Sequence, residues 1–408
     1  MRLYASRVEP DIQGIKWAFV LVGVADGTLL PFIPLYLLHR GLGAAAIGAV
    51  LAGMALVWLF AGLACGYLAD HRLHAERIVL AGMSASAALG LTLVLAADGT
   101  MLALLILALT LMRTPLTLLD AIALRKLRAM SRTGYARIRL RMSAGWAVSA
   151  VAAGAAYQVF GLRLIPLIYA PLTAVVALWM WRAVKPEVAR AVIDTSNPVG
   201  KGVRLGGIPL AMLGFLLSSL LLGVSLAATQ NFVTLQISVL GGGALLVAAA
   251  AAFQALTEIP TMGYTHVLTR HLSHRALFAL GCAIYLVVFV AWALISNAVV
   301  VALLKLVIGV AFALTYVASV TIANELSPAR LRATGQALIK STMFGLAPII
   351  GALGGGIVYG TLGPRLMFLA STVVVAAAGG IAMVVVPVAR RAPEQAIVAV
   401  EATAPATP

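Results

Sequence analysis

The sequence predicts an all-α membrane protein with twelve transmembrane helices in two six-helix bundles. Three observations carry that reading. Of 408 residues, 62% are hydrophobic and only 10% are charged, against roughly 25% charged in a soluble domain. The apolar residues fall into twelve runs separated by polar breaks. The basic residues lie almost entirely on one side of those runs. A mean hydropathy of +1.05 excludes a soluble enzyme, a disordered chain and a disulfide scaffold.

The spans run at 15–38, 44–69, 78–97, 101–123, 142–161, 164–181, 208–237, 244–268, 276–295, 298–323, 336–360 and 366–387. Each is near the ~20 residues needed to cross ~30 Å of hydrocarbon. The net charge of +16 raises nucleic acid as a partner, but its distribution argues against it. Of 29 Lys and Arg, 23 fall at the amino terminus, in the even-to-odd loops and in the tail. Only Arg40, Arg163 and Arg365 lie in the opposite loops. Positive residues accumulate in short cytoplasmic loops, so both termini are expected in the cytoplasm of a multi-pass protein of the cell membrane. The expected partners are therefore the lipid bilayer and a small solute, with no nucleic acid.

Residues 1–14 form a polar cytoplasmic amino terminus. Span 1 lacks a small-residue cleavage site and reads as retained. A basic break at 182–207, rich in Pro, Gly and Ser, separates the bundle at 15–181 from the bundle at 208–387. Residues 388–408 read as a disordered cytoplasmic tail. The two cysteines, Cys65 and Cys282, both lie in spans and indicate no disulfide framework.

The halves repeat. At an offset of 200, Gly23, Val24, Phe32, Leu35 and Gly41 meet Gly223, Val224, Phe232, Leu235 and Gly241. Gly66-Tyr67 has its counterpart in Gly263-Tyr264. Parallel six-span repeats fit a two-bundle transporter with its site near the midplane between them. Glycine and proline cluster in spans 1 and 11, where helices must pack closely or bend.

Charge at the bilayer centre costs about 2.5–3.5 kcal/mol on insertion scales. Charged residues inside spans are therefore the informative ones: Asp26, Arg113, Asp120, Glu258, Lys305 and Lys340. Lys340 lies near the start of span 11 and can reach the interface. Helical spacing places Arg113, Thr117 and Asp120 on one face of span 4. Gln254, Glu258, Thr261 and Thr265 share a face of span 8. Asn231, Thr234 and Ser238 do so in span 7, and Arg139, Ser143, Trp146 and Tyr157 in span 5. Four polar stripes on separate helices predict a shared wet cavity. From depth along straight helices, Asp26 and Arg113 match, both ~15 Å from the cytoplasmic side. Lys305 is deeper and matches neither Asp26 nor Glu258. No HExxH zinc motif and no phosphate-binding GxxxxGK[ST] occurs, so neither an enzyme nor an ATP-driven pump is expected, and no cofactor. A proton gradient is the expected energy source, since burial lets a carboxylate carry a proton.

The loop after span 2 reads Gly66-Tyr-Leu-Ala-Asp70-His-Arg72-Leu-His74-Ala-Glu-Arg77. It resembles the G-x-L-a-D-r-x-G-r-k motif of the major facilitator superfamily, with Leu73 replacing the second glycine. The resemblance implies a cytoplasmic lock between the halves made by Gly66, Asp70 and Arg77. A second stretch, Asp120-Ala-Ile-Ala-Leu followed by Tyr135-Ala-Arg137-Ile-Arg139 and Ser143-Ala-Gly145-Trp146, is similar to the span 4–5 region of lactose permease and of nucleoside and phenylpropionate permeases. Pro31-Phe-Ile-Pro34 in span 1 matches as well. That resemblance implies solute contacts at Asp120, Arg139 and Trp146, and a proton-coupling role for Glu258. The Arg of span 9 and the His and Glu of span 10 in lactose permease have no counterpart in Ala283–Val288 or Lys305–Ala311, so lactose is not the expected solute.

The expectation is a monomeric proton-coupled uptake transporter for a small polar organic solute. Its solute and proton residues would be Asp26, Arg113, Asp120, Arg139, Trp146, Asn231, Glu258 and Lys305. The alternative is proton-coupled efflux of a drug or metabolite. An acidic residue in span 1 with an Arg in span 4 is similar to many such exporters, whereas span 5 lacks their G-x-x-x-G-P motif.

Overall fold

The computed structural model describes residues 2–128, 135–184, 209–328 and 331–387. The expected linker falls outside them from residue 185 to its end, as does the tail 388–408. The described residues form helices and no strands. The first half holds α1 (Arg2–Gly27), α2 (Ile33–His39), α3 (Ala44–His71), α4 (Ala75–Thr92), α5 (Gly99–Arg113), α6 (Leu118–Arg128), α7 (Tyr135–Phe160) and α8 (Leu164–Ala183). The second holds α9 (Leu210–Val239), α10 (Ala244–His271), α11 (His274–Leu294), α12 (Ala298–Leu303), α13 (Lys305–Leu326), α14 (Arg332–Ser341) and α15 (Ala347–Val385). Helix α1 thus begins well before the apolar run of span 1.

Among the described residues, ten stretches are long and apolar enough to cross a membrane. The last, Thr334–Val385, is two spans, because Gly363 breaks it at φ +86°. Helix α7, at 26 residues, supplies the remaining span despite its basic start. The count is therefore the expected twelve. A positive φ is cheap only for glycine, and Gly41 and Gly241 use it at matching points of the repeat, with φ of 84° and 87°. Each ends the first span of its half.

Span 1 consists of α1 and α2 joined by a 3-10 turn at Leu30–Phe32 that contains Pro31. Proline has no N–H and its ring crowds the preceding turn, so the α pattern breaks there. The Thr28 carbonyl is among the groups the break releases, and the Tyr157 hydroxyl donates to it at 2.8 Å. Span 4 breaks in the same way at Thr114–Thr117, which contains Pro115. Span 10 is interrupted at Leu304, immediately before Lys305. Span 11 widens into a π-helical turn at Thr342–Leu346, just ahead of Pro348.

Within the first half α1 packs on α7 and α8, and α4 on α8; within the second α9 packs on α15, and α10 and α11 on α13. Gly23 and Gly223 do the same job in each half. A Cβ on Gly23 would lie 2.1 Å from the Met142 carbonyl oxygen, and one on Gly223 would lie 2.9 Å from that of Met343. The halves meet through α3 with α15, α7 with α10, and α2 with α9. These contacts gather on the face opposite the termini. There a Cβ on Gly48 would fall 2.4 Å from the Ala352 carbonyl oxygen and 2.8 Å from the Gly356 Cα. At the other end of α3, on the terminal face, a Cβ added to Gly66 would meet nothing within 4 Å. The space between the halves is closed at one face and open at the terminal one.

Candidate functional site

Two adjoining cavities lie between the halves, with Leu30 at the break of span 1 in both. One, about 380 Å³, is walled by the first half. It is lined by Asp26, Thr110, Arg113, Thr117, Asp120 and Arg139, with Trp58 and Met54 from α3. The other, about 310 Å³, faces the second half. It is lined by Gln230, Asn231, Thr234, Gln254, Glu258 and Lys305, with Trp146 reaching in from α7. All eight residues expected at the solute and proton site line one cavity or the other.

The charges lie beside the helix interruptions. Asp26 is the penultimate residue of α1, Arg113 the last of α5 and Lys305 the first of α13. Broken helices are tolerated in a bilayer only where the freed backbone faces protein or a wet cavity. The same breaks therefore create room for polar side chains. The position of Arg113 at a helix carboxyl end also places its charge at the negative pole of α5.

Arg113 Nη2 donates to Asp26 Oδ1 at 2.5 Å, and both side chains are only about a tenth exposed, 11% and 10%. Arg113 Nε is buried with no hydrogen-bond partner. Nearer the terminal face, Arg139 Nη1 lies 3.5 Å from Asp120 Oδ1 in a half-exposed pair, and Arg139 also approaches Met142 Sδ. The Thr110, Thr114 and Thr117 hydroxyls all donate back to carbonyls three or four residues earlier. This part of the expected stripe is satisfied within its own helix.

The second wall differs. Lys305 is buried and its Nζ donates to Gln230 Oε1. Asn231 Nδ2 donates to the Ala227 carbonyl at 2.8 Å, which leaves its oxygen free to face the cavity. Glu258 has Gln254 one turn before it and Lys305 within electrostatic reach. Among the described residues neither Glu258 nor Lys305 forms an ion pair. Depth counted along straight helices separates Lys305 from Glu258, yet the structure sets them in one cavity. Gly309 of α13, one turn from Lys305, packs directly against Glu258 of α10, a Cβ there falling 3.0 Å from the Glu258 nitrogen, and a lysine side chain covers that one turn.

The polar stripes are met in part. Gln254 and Glu258 line the cavity, whereas Thr261 and Thr265 donate to carbonyls of α10 itself. In span 7 the lining face is Gln230, Asn231, Thr234 and Ile237, and Ser238 lies outside it. Gln230 escaped the sequence reading, although an uncharged amide deep in an apolar span is nearly as informative as a charge. Glu76 escaped it too. It stands at the start of α4, 3% exposed, in an ion pair with Arg125 of α6. Lys340 is exposed near the terminal face.

Among the described residues the motif after span 2 makes no lock in this conformation. Asp70 and Arg77 are exposed, Gly66 has open space around it, and Asp70 carries no ion pair among the described residues. The terminal face is open, so the element that such a lock would grip stands away from it.

A broken-helix cavity between two six-span halves, closed at one face only, defines the class: a transporter of the major facilitator type. The profile of the MFS_1 like family matches residues 17–370, and the chain belongs to that family. No curated protein matches the sequence. Among solved structures the chain is similar to the nucleoside transporter NupG, at a TM-score of 0.77 and 16% identity, covering 92% of this chain and 98% of that one. It is similar to a bacterial homolog of the human lysosomal transporter Spinster in an inward-facing, occupied conformation, at 0.66 and 15%, covering 92% and 96%. It is also similar to a POT family transporter in complex with 5-aminolevulinic acid, at 0.72 and 12%, covering 93% and 96%. At such identities these likenesses establish the fold.

Proposed function

We propose that the chain takes up a small polar organic solute by proton-coupled symport, working as a monomer in the cell membrane with both termini in the cytoplasm. In that orientation the terminal face is cytoplasmic and the conformation described is open to the inside. The single observation that carries the reading is the buried Asp26–Arg113 pair lining the cavity. Both partners belong to the first half and stand at the breaks of spans 1 and 4, so an arriving solute that opens the pair there gives the carboxylate two states. Paired, its charge is matched by Arg113; separated, it stands in the cavity without a counter-charge. Glu258, given the coupling role by resemblance, shares its cavity with Lys305 and amides, which favours solute contact instead. The similar nucleoside transporter, and the POT family transporter in complex with 5-aminolevulinic acid, support a small polar cargo.

The test is reconstitution into proteoliposomes with an imposed pH gradient and a panel of labelled solutes. A proton gradient directed inward, acid outside, across vesicles holding the native orientation should drive accumulation against the solute gradient. Asp26→Asn should abolish that accumulation and retain solute exchange. Undiminished uphill transport by this variant would remove Asp26 from the mechanism. Proton-coupled efflux is the second reading, favoured by the resemblance of an Asp in span 1 and an Arg in span 4 to exporters. It requires the solute to leave the cytoplasmic side as protons enter, so the sign of the coupled flux decides between them. Reporter fusions at 182–207 and after Pro387 should both read cytoplasmic; an external signal at either point would refute the orientation.

A further inference from the structure

The two ionisable groups of the second-half cavity are opposite in sign, share one wall and do not pair with each other. Lys305 Nζ spends one proton on Gln230 and has two left. Glu258 has an amide beside it and no cation in contact. A buried charge without a counter-charge is expensive, several kcal/mol per ion even after relaxation. Direct pairing would relieve both groups, and the structure keeps them apart. The first half contains two cavity pairs that do close on themselves, so the separation is particular to this wall.

We propose that the solute is a small zwitterion, an amino acid with an apolar side chain, whose carboxylate binds Lys305 and whose ammonium binds Glu258. This rests on the transporter reading above and narrows its solute. A ligand carrying both signs completes both protein charges at once. One carrying only an anion leaves Glu258 unmatched and repelled, and one carrying only a cation does the same to Lys305. Gln230, whose oxygen accepts from Lys305, keeps its amide N–H groups to donate to a carboxylate. The rest of the wall is apolar, with Pro31, Pro34, Val233, Ile237 and the Trp146 ring, and suits an aliphatic or aromatic side chain. At about 310 Å³ the cavity is at the lower end of the ~300–1,000 Å³ range of ligand pockets, which favours an amino acid over a longer peptide.

The experiment uses the full chain in proteoliposomes, with labelled leucine and labelled uridine assayed in parallel for exchange. Unlabelled competitors dissect the ligand: leucine, phenylalanine, 3-methylbutylamine (leucine without its carboxylate) and 4-methylpentanoate (leucine without its ammonium). Leucine and phenylalanine should compete, and each single-charge analogue should bind at least about 30-fold more weakly, the effect of unpairing a buried charged contact. Lys305→Met should remove the handicap of the amine, and Glu258→Gln that of the carboxylate. Lys305→Gln, which keeps a polar group at the cavity, serves if the Met variant does not fold. Single-charge analogues that compete as well as leucine with the unaltered protein would overturn the proposal. Exchange of uridine without leucine or phenylalanine would overturn it as well, leaving the transporter reading intact. Absence of any exchange across the full solute panel, by folded and reconstituted protein, would overturn the transporter reading itself.

Discussion

In the first half, each charged side chain that lines a cavity has an opposite charge against it: Asp26 with Arg113, Asp120 with Arg139. In the second half the two that do so, Glu258 and Lys305, are held by amides and face a common space. The halves share a backbone pattern, with Gly23 and Gly223 at equivalent close contacts and Gly41 and Gly241 at equivalent turns. Their chemistry has diverged on that shared frame. The position of Asp26 is Leu226 in the second half, and that of Asn231 is Pro31 in the first. Paired charges are internally satisfied and change state when something separates them. Charges left to a cavity are completed by what enters it.

The largest effect that could break this comparison is in the buried pair. Asp26→Asn or Arg113→Met alone leaves one charge stranded, at a cost of about 3–5 kcal/mol. Thermal melting in detergent should record that loss for each single variant and recover much of it in the double variant. Strictly additive losses would mean that the two side chains are not coupled. A double variant that is both stable and able to accumulate solute would leave the pair intact as a strut and strip it of its part in transport.

A middle-sized effect is expected at the seam. Valine at Gly48 must displace the backbone of α15, and overpacking of this kind costs typically about 1–3 kcal/mol. The cost falls only on the conformation closed at that face. Gly48→Val should therefore shift the population away from the form open at the terminal face. Maleimide labelling of Cys65, one residue before Gly66, reads the shift, because Cys282 is buried. Labelling several-fold slower than in the unaltered protein is expected; an unchanged rate would show that the seam does not set the equilibrium.

The smaller effects concern two clasps at the terminal face. Glu76 of α4 is buried against Arg125 of α6, and Glu325 of α13 meets His274 of α11 at 2.7 Å. They occupy equivalent places in the two halves. Arg125 is 44% exposed, so solvent screens that pair and lowers its worth. Arg125→Ala leaves the buried Glu76 carboxylate without this partner and should still cost about 1–3 kcal/mol, the penalty of an unsatisfied buried group. Glu325→Ala removes a pair with side chains 26% and 38% exposed and should cost about 0–1 kcal/mol. Equal losses in a melting assay would refute the contrast between a buried and a solvated clasp.

Much of the fold was legible because insertion in lipid imposes simple rules. Length and hydropathy placed the spans, and the merged helix across Gly363 hides one boundary only because a single residue makes the turn. The charges that line the cavities from inside spans, Asp26, Arg113, Asp120, Glu258 and Lys305, were legible for a related reason: a charge inside a span is rare, whereas Arg139, Trp146 and Asn231 came from helical spacing. Other features depend on packing level and reach. Counting depth along span 10 separated Lys305 from Glu258, since neither the level at which α13 packs on α10 nor the length of a lysine appears in a residue count. Gln230 was missed because attention to charge passes over a neutral amide. Glu76 was missed because it lies at the edge of an apolar run, where the sequence alone does not distinguish a solvated loop from a buried helix start. The lock residues were legible as a motif, but their engagement depends on which face is open.

The seam at Gly48, Ala352 and Gly356 is built from main chain and carries no ionisable group. Its strength is dispersion at short range, which dissolved ions do not alter. The rim of the terminal face carries the exposed Asp70 and Arg77, and contacts made there when it closes would be electrostatic. Interactions between exposed charges fade beyond a Debye length, ~8 Å at physiological ionic strength and ~3 Å at 1 M. Salt therefore bears on one gate and leaves the other untouched, so ionic strength alone tilts the resting balance between the two faces toward the open rim.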